Sequence, residues 1–190
     1  LTVRETLNFA ARLSLPKHVT KMERIQRIES LLTAFGLQGQ SNNLIGTPIR
    51  KGISGGQKRR VSVAAQLITS PKLLFLDEPT SGLDSAASFE VVSFVKDIAK
   101  KHNLIVIASI HQPSTSTFAM FDKLLLLSQG GTAYSGPVSE VQPYFDSCGF
   151  PIPLYMNPAE FIIDFVNTDF ARDRSEVDQQ LNMVHSSWHK

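Results

Sequence analysis

Nothing restricts the fold of this chain more than two blocks standing close together: Ile53-Ser54-Gly55-Gly56-Gln57-Lys58-Arg59-Arg60 and Leu73-Leu74-Phe75-Leu76-Asp77-Glu78-Pro79-Thr80-Ser81-Gly82-Leu83-Asp84. The first reads as a glycine-bearing start to an amphipathic helix carrying Val61, Ala64, Ala65 and Leu67. Glycines let an anion approach the backbone, and a helix start offers it free amides and a partial positive charge. The second is a short apolar run ended by charge, as expected of a parallel strand buried on both faces. In open α/β sheets ligands gather at the carboxyl ends of strands. There Asp77 is placed to hold a hydrated magnesium ion, and Glu78 to orient or deprotonate an attacking water. A plain capped helix and two solvated acids are the bland alternatives, and the order of the two blocks argues against both.

The rest of the sequence supplies a frame for these blocks. Thr2-Val3-Arg4-Glu5 has capping-box spacing and predicts a first helix to about Leu13, with Val3, Leu7, Ala10 and Ala11 at helical intervals. Thr20-Lys21-Met22-Glu23 repeats the device before Ile25, Ile28, Leu31, Leu32 and Phe35, and Gly36 stops that helix. A second apolar run spans 104–110, and the stretch 85–101 between the runs reads as a helix with Val91, Val92, Val95 and Ile98 inward, completing a βαβ crossover. Gln129-Gly130-Gly131 separates two strand-like segments and predicts an antiparallel hairpin. Short helices follow Pro137, one opened by Asn157-Pro158-Ala159-Glu160.

Composition removes several classes of function. A formal charge of +2 over 190 residues, with basic residues scattered except at Lys58-Arg59-Arg60, gives no global field for nucleic acid. That triplet reads as a solvated helix face. One cysteine, Cys148, forms no internal disulfide, and with five dispersed histidines it makes no zinc site. The apolar runs fall far short of the ~20 residues that span a bilayer. Leu1 is not an initiator methionine, and the chain is expected to begin within a longer protein.

In this order the blocks resemble the signature, Walker B and D-loop motifs of ABC-type ATPases. The resemblance implies an α/β fold: a partial P-loop NTPase domain with a helical signature subdomain and a mostly parallel sheet. It divides residues 1–170 into a helical part at 1–70, a Walker B and switch-histidine core at 71–136 and an extension at 137–170, followed by a polar linker at 171–190. By the same resemblance Ser54, Gly55, Gly56 and Gln57 cover the terminal phosphate of ATP held by a partner domain. Asp77 is the magnesium residue, Glu78 the catalytic base and Asp84 the aspartate coupling two sites across a dimer. His111, in Ala108-Ser109-Ile110-His111-Gln112-Pro113, resembles the switch histidine that contacts the terminal phosphate.

Further blocks are similar to subfamily G, the half-size transporters: Leu1-Thr2-Val3-Arg4-Glu5-Thr6-Leu7, Ser109 to Ser114, Tyr134-Ser135-Gly136-Pro137 and Asn157-Pro158-Ala159-Glu160-Phe161, where the family has Asp in place of Glu160. The elements after Pro137 are then expected to pack the ATPase core and lead toward a membrane domain. This likeness implies an ATPase using ATP and Mg2+, paired with a second nucleotide-binding domain and with its own downstream transmembrane domain. Its parent lies in a membrane, with this segment on the cytoplasmic side, and exports a lipophilic substrate such as a lipid, sterol, pigment or drug. No Gly-x-x-x-x-Gly-Lys-Ser/Thr loop occurs. The isolated chain is therefore expected to be inactive and to expose apolar sheet surface. Two rival readings are a soluble ABC ATPase acting on ribosomes or DNA and a non-catalytic truncated remnant. The first of these would call for a strongly basic surface or a long coiled coil, and neither is seen.

Overall fold

The computed structural model describes residues 1–47 and 49–167, so the polar stretch 171–190, read from the sequence as a linker, lies outside the described residues. The chain forms two compact units that divide after His111.

In the first unit both predicted capping boxes form. Helix α1 (Val3–Ser14) is opened by Thr2, which accepts from the Glu5 amide while Glu5 accepts from the Thr2 amide, and α2 (Lys21–Ala34) is opened the same way by Thr20 and Glu23. Each box satisfies two amides that a helix start otherwise leaves without partners. It also holds the carboxyls of Glu5 and Glu23 below the usual glutamate range, chiefly because each accepts from a backbone amide of its threonine. Helix α3 (Gly55–Gln66) follows a loop, and strand β1 (Leu73–Leu76), helix α4 (Ser85–His102) and strand β2 (Ile105–Ala108) complete the expected crossover. The two strands pair in parallel, with Leu74 opposite Val106 and Leu76 opposite Ala108. Asn103, in the left-handed region, ends α4, and the Leu104 amide donates back to the Ala99 carbonyl at 2.9 Å.

The apolar faces of α1, α2 and α3 meet in one core, where Leu7, Leu32, Phe35 and Ala64 are fully buried and Leu74 and Leu76 join from the sheet. One expectation fails here: β1 is buried on one face only. Leu73 and Phe75 are 43% and 64% exposed, and Ile105 and Ile107 beside them 64% and 51%. With two strands in this sheet and the helical core on one side, the alternate side chains of each strand point away from the core. The mostly parallel sheet expected of the fold class is thus, among the described residues, one parallel pair and one antiparallel pair. The exposed apolar sheet surface matches what was expected of this chain.

The second unit starts with a single helical turn, α5 (Thr115–Phe118), and a hairpin of β3 (Lys123–Ser128) and β4 (Gly131–Pro137). Gln129 (φ 49°) and Gly130 (φ 77°) form its two-residue turn. Positive φ at both positions suits the right-handed twist of the paired strands. Helices α6 (Val141–Ser147) and α7 (Pro158–Val166) pack with the hairpin around Phe145, whose ring lies edge-on to Phe161 and Phe165 at 6.0 and 5.3 Å. These C-terminal elements have a core of their own, containing Tyr134, Val141, Phe145, Ala159 and Ile162. No helix among the described residues is long and apolar enough to cross a membrane.

Candidate functional site

Ser54 caps α3: its hydroxyl accepts from the Gln57 amide at 3.2 Å, and the Gln57 side chain accepts from the Ser54 amide at 2.9 Å. The glutamine that completes the motif therefore also completes a capping box, which sets the pitch of the first turn. Gly55 and Gly56 face α4 and the loop before it. A Cβ on Gly55 would lie 3.2 Å from Leu83 Cδ2, and one on Gly56 3.4 Å from Ala87 Cβ. Gly55 thus serves a close approach between the start of α3 and the segment ending at Asp84, and Gly56 lies beside the first turn of α4. Asp84 caps α4, accepting from the Ala87 amide at 2.8 Å.

The basic triplet beside these glycines is half-buried, which corrects its reading as a solvated face. The Arg60 guanidinium lies 4.7 Å from the centre of the Phe94 ring, donates to the Phe35 carbonyl at 3.2 Å and stands 3.9 Å from Glu90. Arg59 donates to the Ser81 carbonyl at 3.4 Å. Long arginine stems lie along apolar surface while their planar heads reach several acceptors, so a run of charge on a helix does not by itself mean solvent. Together Arg59 and Arg60 fasten α3 to α4 and to the loop after Glu78.

Asp77 and Glu78 leave the end of β1 side by side, both exposed to solvent. Ser109, the first residue beyond β2, joins them through one hydroxyl. It donates to Asp77 Oδ1 at 2.6 Å and accepts from the Glu78 amide at 2.9 Å. The parallel register explains the meeting, because Leu76 lies opposite Ala108 and the next residues on each strand are Asp77 and Ser109. Glu78 itself has φ 42°, a left-handed conformation uncommon for a residue with a side chain. The Ser81 amide donates to its carbonyl at 3.1 Å and turns the chain toward Gly82 and Asp84.

His111 follows on the exit from β2 and is exposed. In the second unit, the Asn157 side chain caps α7 through the Ala159 amide at 3.1 Å and donates to the Pro113 carbonyl at 2.8 Å, two residues beyond His111. The structure therefore joins Asp77 with Glu78 through Ser109, and the Ser54 helix start with the Asp84 loop through Gly55. Among the described residues it shows no hydrogen bond from His111 to either set. The sequence reading does not single out Ser109 as an individual residue; the signal for it is its place opposite Asp77 at matching strand ends.

No group of three or more His, Cys, Asp or Glu side chains able to hold a metal ion exists among the described residues. A single strand-end carboxylate still suits magnesium, which keeps several waters and takes one or two carboxylates plus phosphate oxygens. Asp77 meets the need: Ser109 engages Oδ1 and leaves the second oxygen for a cation.

Comparison with known proteins finds two family likenesses. Residues 1–81 match the family model described as ABC transporter, and residues 111–189 match one described as ABC-2 type transporter. The chain is 46% identical over 170 residues to ABC transporter G family member 13 of Arabidopsis thaliana, covering 90% of this chain and 25% of that protein. It is 45% identical to ABC transporter G family member 1 of Petunia hybrida, covering 93% of this chain and 28% of that protein. For ABC transporter G family member 1 of Dictyostelium discoideum the identity is 43%, over 94% of this chain and 22% of that protein. The chain thus spans about a quarter of the length of the curated relatives it matches.

Proposed function

Because the chain belongs to the ABC transporter family, with its matched relatives in the G family, we propose that it is the signature and Walker B portion of an ATPase that drives transport. In the full-length protein this portion pairs with a second nucleotide-binding domain and with a transmembrane domain of its own chain. The parent sits in a membrane with this segment on the cytoplasmic side, and it exports a lipophilic substrate. The observation that carries the reading is the loop from Asp77 to Asp84. It links the strand-end carboxylates directly to the segment packed on the Ser54-Gly55-Gly56-Gln57 helix start.

When bound, Mg2+ and ATP supply the cation that offsets phosphate charge and the phosphoryl group that is transferred. The chain's own residues have distinct tasks around them. Asp77 offers its second oxygen to the hydrated cation. Glu78, the next residue, presents a carboxylate able to accept a proton from water. His111 offers an imidazole N–H to a phosphate oxygen. The start of α3 binds phosphate through its amides, acting on the nucleotide of the partner domain. Residues 1–190 have no Gly-x-x-x-x-Gly-Lys-Ser/Thr loop, so the isolated chain is inactive on this reading.

Replacing Glu78 by Gln in the full-length protein tests the proposal. Loss of a general base typically costs about 100-fold or more in turnover, whereas ATP binding should stay within about threefold of wild type. Near-normal turnover in Glu78→Gln, or ATP hydrolysis by the isolated chain, rejects it.

A further inference from the structure

Resting on the reading of Asp77 and Glu78 just given, we propose that Ser109 is a positioning residue that sets the geometry of both carboxylates. A serine hydroxyl has one proton to give and two lone pairs. Here the proton goes to Asp77 Oδ1 at 2.6 Å and a lone pair receives the Glu78 amide at 2.9 Å. The Glu78 amide can only donate, so the hydroxyl accepts there and its single proton is turned to Asp77. Ser109 is itself held, its amide donating to the Leu76 carbonyl at 3.0 Å as a continuation of the β1–β2 pairing. One hydroxyl on a fixed strand end therefore selects which oxygen of Asp77 remains for a hydrated cation. It also steadies the left-handed backbone (φ 42°) from which the Glu78 carboxylate departs.

All three residues are exposed, so water can take over the hydrogen bonds that a truncated Ser109 would abandon. The loss then falls on orientation and not on folding. This separates a positioning role from a structural one: turnover should suffer while stability and nucleotide affinity do not. Threonine keeps the hydroxyl, and its extra methyl is tolerated at an exposed strand end.

The test uses the full-length protein with Ser109→Ala, Ser109→Thr and Glu78→Gln, measuring kcat, KM for ATP, the Mg2+ concentration for half-maximal activity, and Tm. Ser109→Ala is expected to lower kcat about tenfold, as for loss of a hydrogen bond to a charged group, with KM for ATP within about twofold. It should raise the half-maximal Mg2+ concentration about threefold and leave Tm unchanged, and Ser109→Thr should restore kcat to within about twofold of wild type. The proposal is overturned by a Ser109→Ala kcat within about twofold of wild type, by a fall in Tm that accompanies the kcat loss, or by a Ser109→Thr variant as slow as Ser109→Ala. If Glu78→Gln abolishes turnover while Ser109→Ala does not reduce it, the role of Ser109 fails and the site survives. If Glu78→Gln hydrolyses ATP normally, or wild type hydrolyses none, the site reading fails and takes the Ser109 proposal with it.

Discussion

Gly52→Ala offers the sharpest test of how the chain is held together just ahead of Ser54. A Cβ on Gly52 would run into the Ile45 carbonyl oxygen and carbon and lie 2.5 Å from the Gly46 nitrogen. All three are backbone atoms, so no rotamer change relieves the clash. Nor can the segment at Ile45 simply withdraw. The Ile45 amide donates to the Leu1 carbonyl at 3.1 Å, and the Leu44 carbonyl accepts from the Ile53 amide at 3.1 Å. Breaking both bonds costs about 1 kcal/mol each, and forcing extra volume into a tight contact adds about 1–3 kcal/mol. Alanine stiffens the unfolded chain relative to glycine, which returns about 0.4–1 kcal/mol. The net expectation is a destabilisation of about 2–5 kcal/mol. Urea denaturation of the purified protein measures it as a lower midpoint at unchanged slope. Gly39→Ala is the matched control, because nothing lies within 4 Å of a Cβ there. If Gly52→Ala falls within about 0.5 kcal/mol of Gly39→Ala, the backbone contact does not hold this loop.

Two further perturbations address the helix starts. Asp84→Ala removes the side-chain acceptor at the start of α4 and should cost about 1 kcal/mol in denaturation experiments, while Asp84→Asn, which keeps an acceptor, should stay within about 0.5 kcal/mol of wild type. The carboxyls of Glu5 and Glu23 sit below their ordinary range because they accept from the Thr2 and Thr20 amides. Their contribution is fully present above the unfolded glutamate value of about 4.3 and is lost as pH falls through the lower folded value. Helical ellipticity followed from about pH 5 to about pH 2 should decline more steeply in wild type than in the Glu5→Gln, Glu23→Gln double variant, whose caps do not titrate. Parallel acid profiles would contradict this.

Features governed by neighbours in the chain are legible in the sequence itself. Thr2 with Glu5, Thr20 with Glu23, and the Gln129-Gly130 turn each depend on residues within three or four positions, and all form where expected. The crossover from β1 through α4 to β2 is legible too, since an apolar run, a helical period and a second apolar run follow one another. What escapes such reading depends on partners distant in sequence. The run Leu73–Leu76 is apolar at every position, so its pattern cannot tell one covered face from two; only the layers present decide that. Arg60 reads as solvated because its partners Phe35 and Phe94 lie on two other helices or their ends. Ser109 meets Asp77 across 32 positions, and only strand register makes them neighbours.

The same contacts bear on how phosphate binding at one motif would be felt at the other. The start of α3 touches the loop before α4 through Gly55 and Leu83, and Arg59 grips that loop at the Ser81 carbonyl. Farther along α3, Arg60 lies against Phe94 of α4 and bonds to the Phe35 carbonyl at the end of α2. Two attachments at different heights resist tilting of α3 against α4 more than either would alone. On the proposed reading, an anion that draws the amides of Gly55 and Gly56 toward itself therefore pulls on residues 81–83. That segment leads back through the Ser81 amide to the carbonyl of Glu78 at 3.1 Å. A ligand shifts such a linkage only by as much as it binds one arrangement better than another. The terminal phosphate is the group that could supply that difference, because it alone distinguishes ATP from ADP at the helix start. The path from Gly55 to Glu78 is short and consists of backbone hydrogen bonds and one close packing contact. On the proposed reading, small displacements at the start of α3 therefore reach the Glu78 backbone through the Leu83 contact and the loop's own hydrogen bonds.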